Sequence, residues 1–113
     1  MKSGSVVIVN FPGATGIKRR PAIVVSTALY HTERPDVILA AVTTQTAKAR
    51  AKTDYILQDW SSAGLKQPSA VRMFLGTRPA IEVIKIGELS ERDWTEVLAK
   101  YWLREIWQKS NAR

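Results

Sequence analysis

Ala22-Ile23-Val24-Val25 and Val37-Ile38-Leu39-Ala40-Ala41-Val42 are the two stretches whose reading decides the fold. Both are apolar at consecutive positions and rich in β-branched residues, the pattern of strands buried on two faces. The segment between them, 27–35, has room for about one turn of helix. It is too short for the crossover helix that joins parallel strands, so repeated βαβ units are excluded. Upstream, Val6-Val7-Ile8-Val9 predicts another strand, closed by Asn10-Phe11-Pro12-Gly13, whose Pro-Gly pair predicts a turn. The loop is expected to run through Thr15-Gly16-Ile17 and Lys18-Arg19-Arg20-Pro21 before the strand at 22–25 begins.

Downstream, residues 43–53 are polar and basic, suiting a short exposed helix or a loop, with the loop the better reading. Strands are expected at 54–57 and 69–75, separated by a turn at Ser61-Ser62-Ala63-Gly64-Leu65. Residues 81–86 alternate for most of their length and end at Gly87, predicting a last strand with one wetter face. A helix is expected from Ser90, where Asp93 three residues on approximates a capping box and Leu89 and Trp94 occupy staple positions. Trp94, Val97, Leu98 and Tyr101 recur at helical spacing as a core stripe. Beyond them Trp102, Leu103, Ile106 and Trp107 cover too much of the circumference for one face, which predicts that some of them meet another subunit or a partner. Five or six short strands and one terminal helix make a mainly β fold, a small antiparallel barrel capped by a C-terminal α-helix.

At 113 residues the chain is expected to form a single domain, 1–113. Its 45% apolar and 24% charged residues set aside disordered and collagen-like classes. Seventeen Lys and Arg against ten Asp and Glu give +7, and that excess is uneven. Residues 1–53 hold eight bases and two acids, whereas 54–113 hold nine and eight, so nearly all of the net charge sits in two clusters of the first half. Such a distribution points to a surface that meets phosphates. With no cysteine there is neither a disulfide framework nor a thiolate nucleophile, and one histidine forbids an imidazole acid–base pair within a chain. The N-terminal apolar run is too short for a signal peptide or a membrane span, so the expected location is the cytoplasm, away from the membrane.

Three features fall at strand ends. Lys18, Arg19 and Arg20 enter the second strand, and Pro21 restricts Arg20 to extended geometry, so that its planar fork of donors leaves from a defined position. Thr43, Thr44 and Gln45 follow the third strand with hydroxyl and amide donors suited to phosphate or base edges. Arg72 is a cation inside an apolar strand pattern, pointing outward or paired at a site. Lys48, Arg50 and Lys52 add charge beyond the third strand, and His31 beside Tyr30 suits stacking on a base. Asp36, Asp54 and Asp59 lack a spacing that brings carboxylates together on a strand face, and no Gly-rich nucleotide motif, GxSxG or HExxH occurs. No metal or cofactor is expected.

These features occur in the order found in one family. The sequence resembles the PemK/MazF toxins of bacterial toxin–antitoxin systems over nearly its whole length. The resemblance is carried by residues 6–13, by Lys18-Arg19-Arg20-Pro21-Ala22-Ile23-Val24-Val25-Ser26, by Ala41-Val42-Thr43-Thr44-Gln45, by Ala63-Gly64-Leu65, by 68–72 and by Ile86-Gly87-Glu88-Leu89-Ser90. It implies an SH3-like barrel, a homodimer and metal-independent cleavage of single-stranded RNA, with 2′-hydroxyl attack leaving a 2′,3′-cyclic phosphate. It also implies a cognate antitoxin that blocks the RNA groove, and the basic surface asks of it an acidic C-terminal segment. The family's catalytic pair matches Arg20 and Thr43, leaving Lys18, Arg19, His31, Thr44, Gln45, Lys48, Arg50, Lys52 and Arg72 as expected RNA contacts. Some relatives place an aspartate two residues after the arginine matching Arg72. Here that position is Phe74, in a segment, 74–84, that looks shortened. Competing readings are a gyrase poison like the CcdB toxins, kept alive by Trp107, and a barrel that binds nucleic acid without cutting it.

Overall fold

In the computed structural model, which describes the backbone of residues 1–13 and 16–111 and their side chains apart from those of 11–13 and 105–111, six strands form one antiparallel sheet. In chain order the elements are β1 (Ser5–Gly13), β2 (Gly16–Val24), α1 (Ala28–Glu33), β3 (Asp36–Thr43), β4 (Tyr55–Ile56), β5 (Ala70–Pro79), β6 (Ile84–Glu88) and α2 (Glu91–Asn111). Short 3₁₀ turns lie at Thr46–Lys48 and Ala80–Glu82. Across the sheet the order is β4-β5-β3-β2-β1-β6. The expected mainly β barrel with a terminal helix is thus present as a curled half-barrel.

The consecutive apolar runs are buried on both sides, as their pattern required. On one face Val6, Ile23, Val25, Ala40, Val42, Val71 and Met73 pack with Leu57, Leu65, Leu89 and Val97 of α2. On the other, Val7, Val9, Ala22, Val24, Val37, Leu39 and Val83 form a second cluster. Two glycines draw the ends of the curl together. A Cβ on Gly87 would collide with the Ala63 carbonyl oxygen, and one on Gly64 (φ +92°) would stand 2.6 Å from the Ile86 carbonyl oxygen. The loop after β4 therefore seats backbone against backbone on β6, a contact only glycine permits.

Several boundaries differ from the sequence reading for physical reasons. The first hairpin is longer, with Gly13 opposite Gly16 and Pro12 opposite Ile17, so Lys18, Arg19 and Arg20 lie within a strand rather than a loop. Past Ile8, β1 has lost its pairing with β6, and β2 pairs β3 only at Ala22, Ile23 and Val24. Residues 9–13 and 16–20 are thus a two-stranded arm with open outer edges, a position that tolerates Pro12 and its missing N–H. The last strand starts later than expected because Ala80–Glu82 is a 3₁₀ turn, and it continues through Gly87, with Ile86 as an extra residue of β6 opposite the Val6/Val7 step of β1.

The N-terminus of α2 is tied to the loop after β4. Ser90 Oγ accepts the Asp93 N–H at 3.2 Å, as a capping residue should. The Asp93 carboxylate does not return to Ser90; it is fully buried and accepts from the Tyr55 hydroxyl (2.7 Å) and the backbone N–H groups of Gln58 (3.2 Å) and Asp59 (2.8 Å). Burial and the hydrogen bond to Asp93 push the Tyr55 phenol up to about 12. Asp59 in turn accepts from Ser90 and from the Arg92 guanidinium, whose hydrogen bonds hold its carboxyl below the usual range.

Candidate active site

The register of β2 and β3 builds the site. Ala22 faces Ala41, the last pair of the ladder, and Arg20 and Thr43 lie two residues further along their own strands, beyond it. Side chains alternate, so Arg20 shares its face with Ala22 and Val24, and Thr43 shares its own with Ala41 and Leu39. Ala22, Val24 and Leu39 belong to one cluster, so Arg20 and Thr43 leave the sheet on the same side. Arg72 lies opposite Ala41 on β5 and joins them on this face.

Local chemistry prepares each group. Pro21 holds Arg20 extended, while the open edge of the arm leaves its guanidinium exposed. Lys18, Arg19 and Arg20 are all exposed, and none is paired with a carboxylate among the described residues. Thr43 Oγ1 accepts the Gln45 N–H at 3.1 Å, which orients the hydroxyl and leaves its hydrogen to be donated outward. An oriented hydroxyl donor on the same face of the sheet as an exposed guanidinium suits the binding of a phosphate and the stabilisation of charge that grows on it.

Arg72 is held differently. Its Nε is buried and lies 3.6 Å from Oδ1 of Asp54, a carboxylate only 3% exposed. Its guanidinium sits 4.6 Å from the centre of the Phe74 ring. Asp54 Oδ2 also accepts the Ala51 N–H at 3.0 Å, so one carboxylate anchors both Arg72 and the basic connection that carries Arg50 and Lys52. Asp54 and Phe74 were not among the expected site residues. Position 74 enters the sequence reading only as a departure, and Asp54 is 18 residues from Arg72, just before a strand of two residues, with no local signal for the pairing.

The remaining candidates divide. Arg19 and Thr44 alternate to the opposite face, where with Ile8, Pro21, Leu65, Lys66 and Ile86 they line a groove of about 510 Å³. Lys66 is a further basic residue there that the sequence reading passed over, since it follows the turn at 61–65 as an isolated charge. Gln45, Lys48, Arg50 and Lys52 are exposed along the connection after β3, where Arg50 Nε donates to the Ala47 carbonyl (2.8 Å). His31 stands apart from the other candidates: it sits on α1, which joins the ends of β2 and β3 opposite to those bearing Arg20 and Thr43. Ser26 Oγ accepts the Ile38 N–H (3.0 Å) and is hydrogen-bonded to His31 Nε2 (2.6 Å), which fastens the imidazole to the scaffold. On α2, Trp102 and Leu103 are exposed as expected of a contact surface, whereas the side chains of Ile106 and Trp107 lie outside the described residues. Among the described residues, no three His, Cys, Asp or Glu side chains gather as a metal site needs, and no helix is long and apolar enough to cross a membrane.

Solved structures share this architecture. MazE-MazF from Deinococcus radiodurans aligns with a TM-score of 0.68 and 22% identity, covering 93% of this chain and 95% of that one. An endoribonuclease in complex with its cognate antitoxin, from a mycobacterial species, aligns at 0.74 and 17%, covering 91% and 92%. The Mycobacterium tuberculosis toxin MazF-mt6 aligns at 0.72 and 19%, covering 90% and 96%. Comparison with curated proteins finds no match. Residues 2–101, and with them the β2 arm, the Thr43 turn and the paired glycines, match the family model described as PemK-like, MazF-like toxin of type II toxin-antitoxin system, and the chain belongs to that family.

Proposed function

We propose that the protein is an endoribonuclease toxin that cleaves single-stranded RNA without a metal ion, with Arg20 and Thr43 at the reacting phosphate. The observation that supports this reading is their placement on one face of neighbouring strands, two residues beyond the Ala22–Ala41 pair: an exposed cation, and a hydroxyl whose oxygen already accepts the Gln45 N–H. The 2′-oxygen attacks phosphorus, the bond to the 5′-oxygen breaks, one proton leaves the 2′-hydroxyl and one arrives on the leaving oxygen. A 2′,3′-cyclic phosphate and a 5′-hydroxyl result. Arg20, permanently protonated, balances charge on the phosphorane, and Thr43 donates to a non-bridging oxygen. Lys18, Arg19, Lys48, Arg50 and Lys52 supply the sequence-independent attraction for the strand.

In this reading the active form is a cytoplasmic homodimer, and a cognate antitoxin with an acidic C-terminal segment competes with RNA for the same cations. The test is end-mapping of RNA fragments after incubation with purified protein in excess EDTA. Fragments with cyclic-phosphate and 5′-hydroxyl ends are expected. Their absence, with gyrase inhibition instead, selects the gyrase poison, and RNA binding without products selects the non-cutting barrel.

A further inference from the structure

Among the described side chains of the sheet, Phe74 is an aromatic residue held in solvent, 63% exposed. It occupies an irregularity of β5: Ala41 faces Arg72 but Ala40 faces Leu75, so Met73 and Phe74 are both extra on the bulged strand. Bulges re-aim side chains and occur beside active sites. Met73 and Leu75 turn inward to the core that α2 covers, and Phe74 between them projects to the side that carries Arg20, Thr43 and Arg72.

On that side the ring borders a cleft of about 270 Å³, floored by Ala22, Leu39, Ala41 and Gly76 and edged by Arg78. The floor is apolar, three of its four residues are alanine or glycine, and Gly76 has no neighbour within 4 Å of the place a Cβ would occupy. One side of the Phe74 ring is covered by the Arg72 guanidinium, itself held from behind by Asp54. This fixes the ring's plane and leaves its exposure mainly on the opposite face and edge. Asp54 offsets the charge of Arg72, so Arg72 braces the ring and is not one more free phosphate ligand. A flat apolar slot beside a fixed aromatic face, on the face of a phosphate-binding pair, matches one occupant well: a planar nucleobase.

We propose that Phe74 is a base-stacking residue, receiving one nucleobase of the bound strand next to the phosphate at Arg20 and Thr43, and that it replaces a polar contact with an aromatic one at this position. The inference rests on the RNA-cleaving reading for the identity of the strand, but it concerns binding. It is therefore tested with short single-stranded 2′-O-methyl oligonucleotides, which cannot be cut.

Phe74→Ala should weaken binding roughly 5- to 150-fold, the range for loss of one stacked base. The slope of log K against log salt should stay at the wild-type value, since no phosphate contact is removed. Phe74→Leu should bind as poorly as the alanine variant, and Phe74→Trp should restore affinity. With cleavable RNA, end-mapping for Phe74→Ala should show preference flattened at one nucleotide position. Undiminished binding by Phe74→Ala overturns the proposal, as does a loss accompanied by a shallower salt slope. It is also overturned if sedimentation shows that the substitution dissociates a dimer, which would place the ring against a second copy of the chain. Wild-type protein that binds the oligonucleotides but cuts no RNA removes the endoribonuclease reading and leaves the Phe74 comparison to decide the inference on binding alone. Wild-type protein that binds no RNA overturns both.

Discussion

Two polar regions of this small molecule use the same kinds of side chain to opposite ends. At the junction of the β4 loop with α2, Asp93, Asp59, Ser90, Arg92 and Tyr55 satisfy one another, and Asp93 is fully buried with three donors upon it. At the open end of β2 and β3, Lys18, Arg19 and Arg20 stand in solvent without carboxylate partners among the described residues, and Thr43 keeps a hydrogen to donate. Polar groups that close upon themselves hold the fold. Groups left unpaired on a rigid frame are available to a ligand, and here they are cations that ask for an anion.

The sharpest way to break this contrast is to exchange the expected effects. Arg20→Ala should lower RNA cleavage by at least about 100-fold, the scale of one preorganised donor in a reacting site. Its melting temperature should stay that of the wild type, since Arg20 is exposed. Thr43→Val should lose a similar factor. Cleavage rates and thermal melts on the same samples decide the matter, and a cleavage rate untouched by Arg20→Ala would refute its assignment.

Asp93→Ala should do the reverse. It leaves the Tyr55 hydroxyl and two backbone N–H groups without their acceptor, at a cost of about 3 kcal/mol, which for a chain of this size lowers the melting temperature by roughly 15 °C. Cleavage per folded molecule should be unchanged. Loss of activity in the folded fraction would show that the α2 junction also shapes the substrate groove.

How far each region was legible in the sequence follows from how local its signals are. The apolar runs at 22–25 and 37–42 are consecutive in the chain, and burial on both faces answers them directly. Arg20 announces itself through Pro21, and Thr43 through its place at the end of an apolar strand. The pairing of Asp54 with Arg72 joins residues 18 positions apart, and Asp93 with Tyr55 joins residues 38 apart. Periodicity carries nothing of either. His31 is of the same kind: its neighbour Tyr30 suggests a stacking pair, while its hydrogen-bond partner, Ser26, lies five residues back, buried in the connection that follows β2. The length of the first hairpin was hidden by Pro12-Gly13, a turn signal that an arm with open edges absorbs into a strand.

A matched pair of glycines sharpens the structural side further. Gly87→Ala puts a methyl group into the Ala63 carbonyl and should destabilise by about 2 kcal/mol. Gly76→Ala, also within the sheet, meets nothing within 4 Å and should be neutral or stabilising by about 0.5 kcal/mol through the unfolded chain. Urea unfolding of the two variants measures the difference. Equal stabilities would mean that the loop after β4 is not seated on β6.

The smallest effect is a pH dependence that the closed network should show and Arg20 should not. The Tyr55 phenol stands at about 12 in the folded protein against about 10 unfolded, raised by burial and by its hydrogen bond to Asp93. Its contribution to stability is therefore whole below about pH 10. As pH rises toward 12 the unfolded chain sheds the proton that the native one keeps, and the contribution falls away. Asp59 acts in the opposite window. Its carboxyl is held low by Arg92 and Ser90, so its contribution is whole above the ordinary aspartate range and is lost as pH falls through its folded value. Tyr55→Phe should flatten the alkaline limb of a melting-temperature profile and leave the acid limb intact, and Asp59→Asn should do the converse. The Arg20→Ala profile should overlie the wild type on both limbs, because Arg20 is exposed and has no carboxylate partner among the described residues.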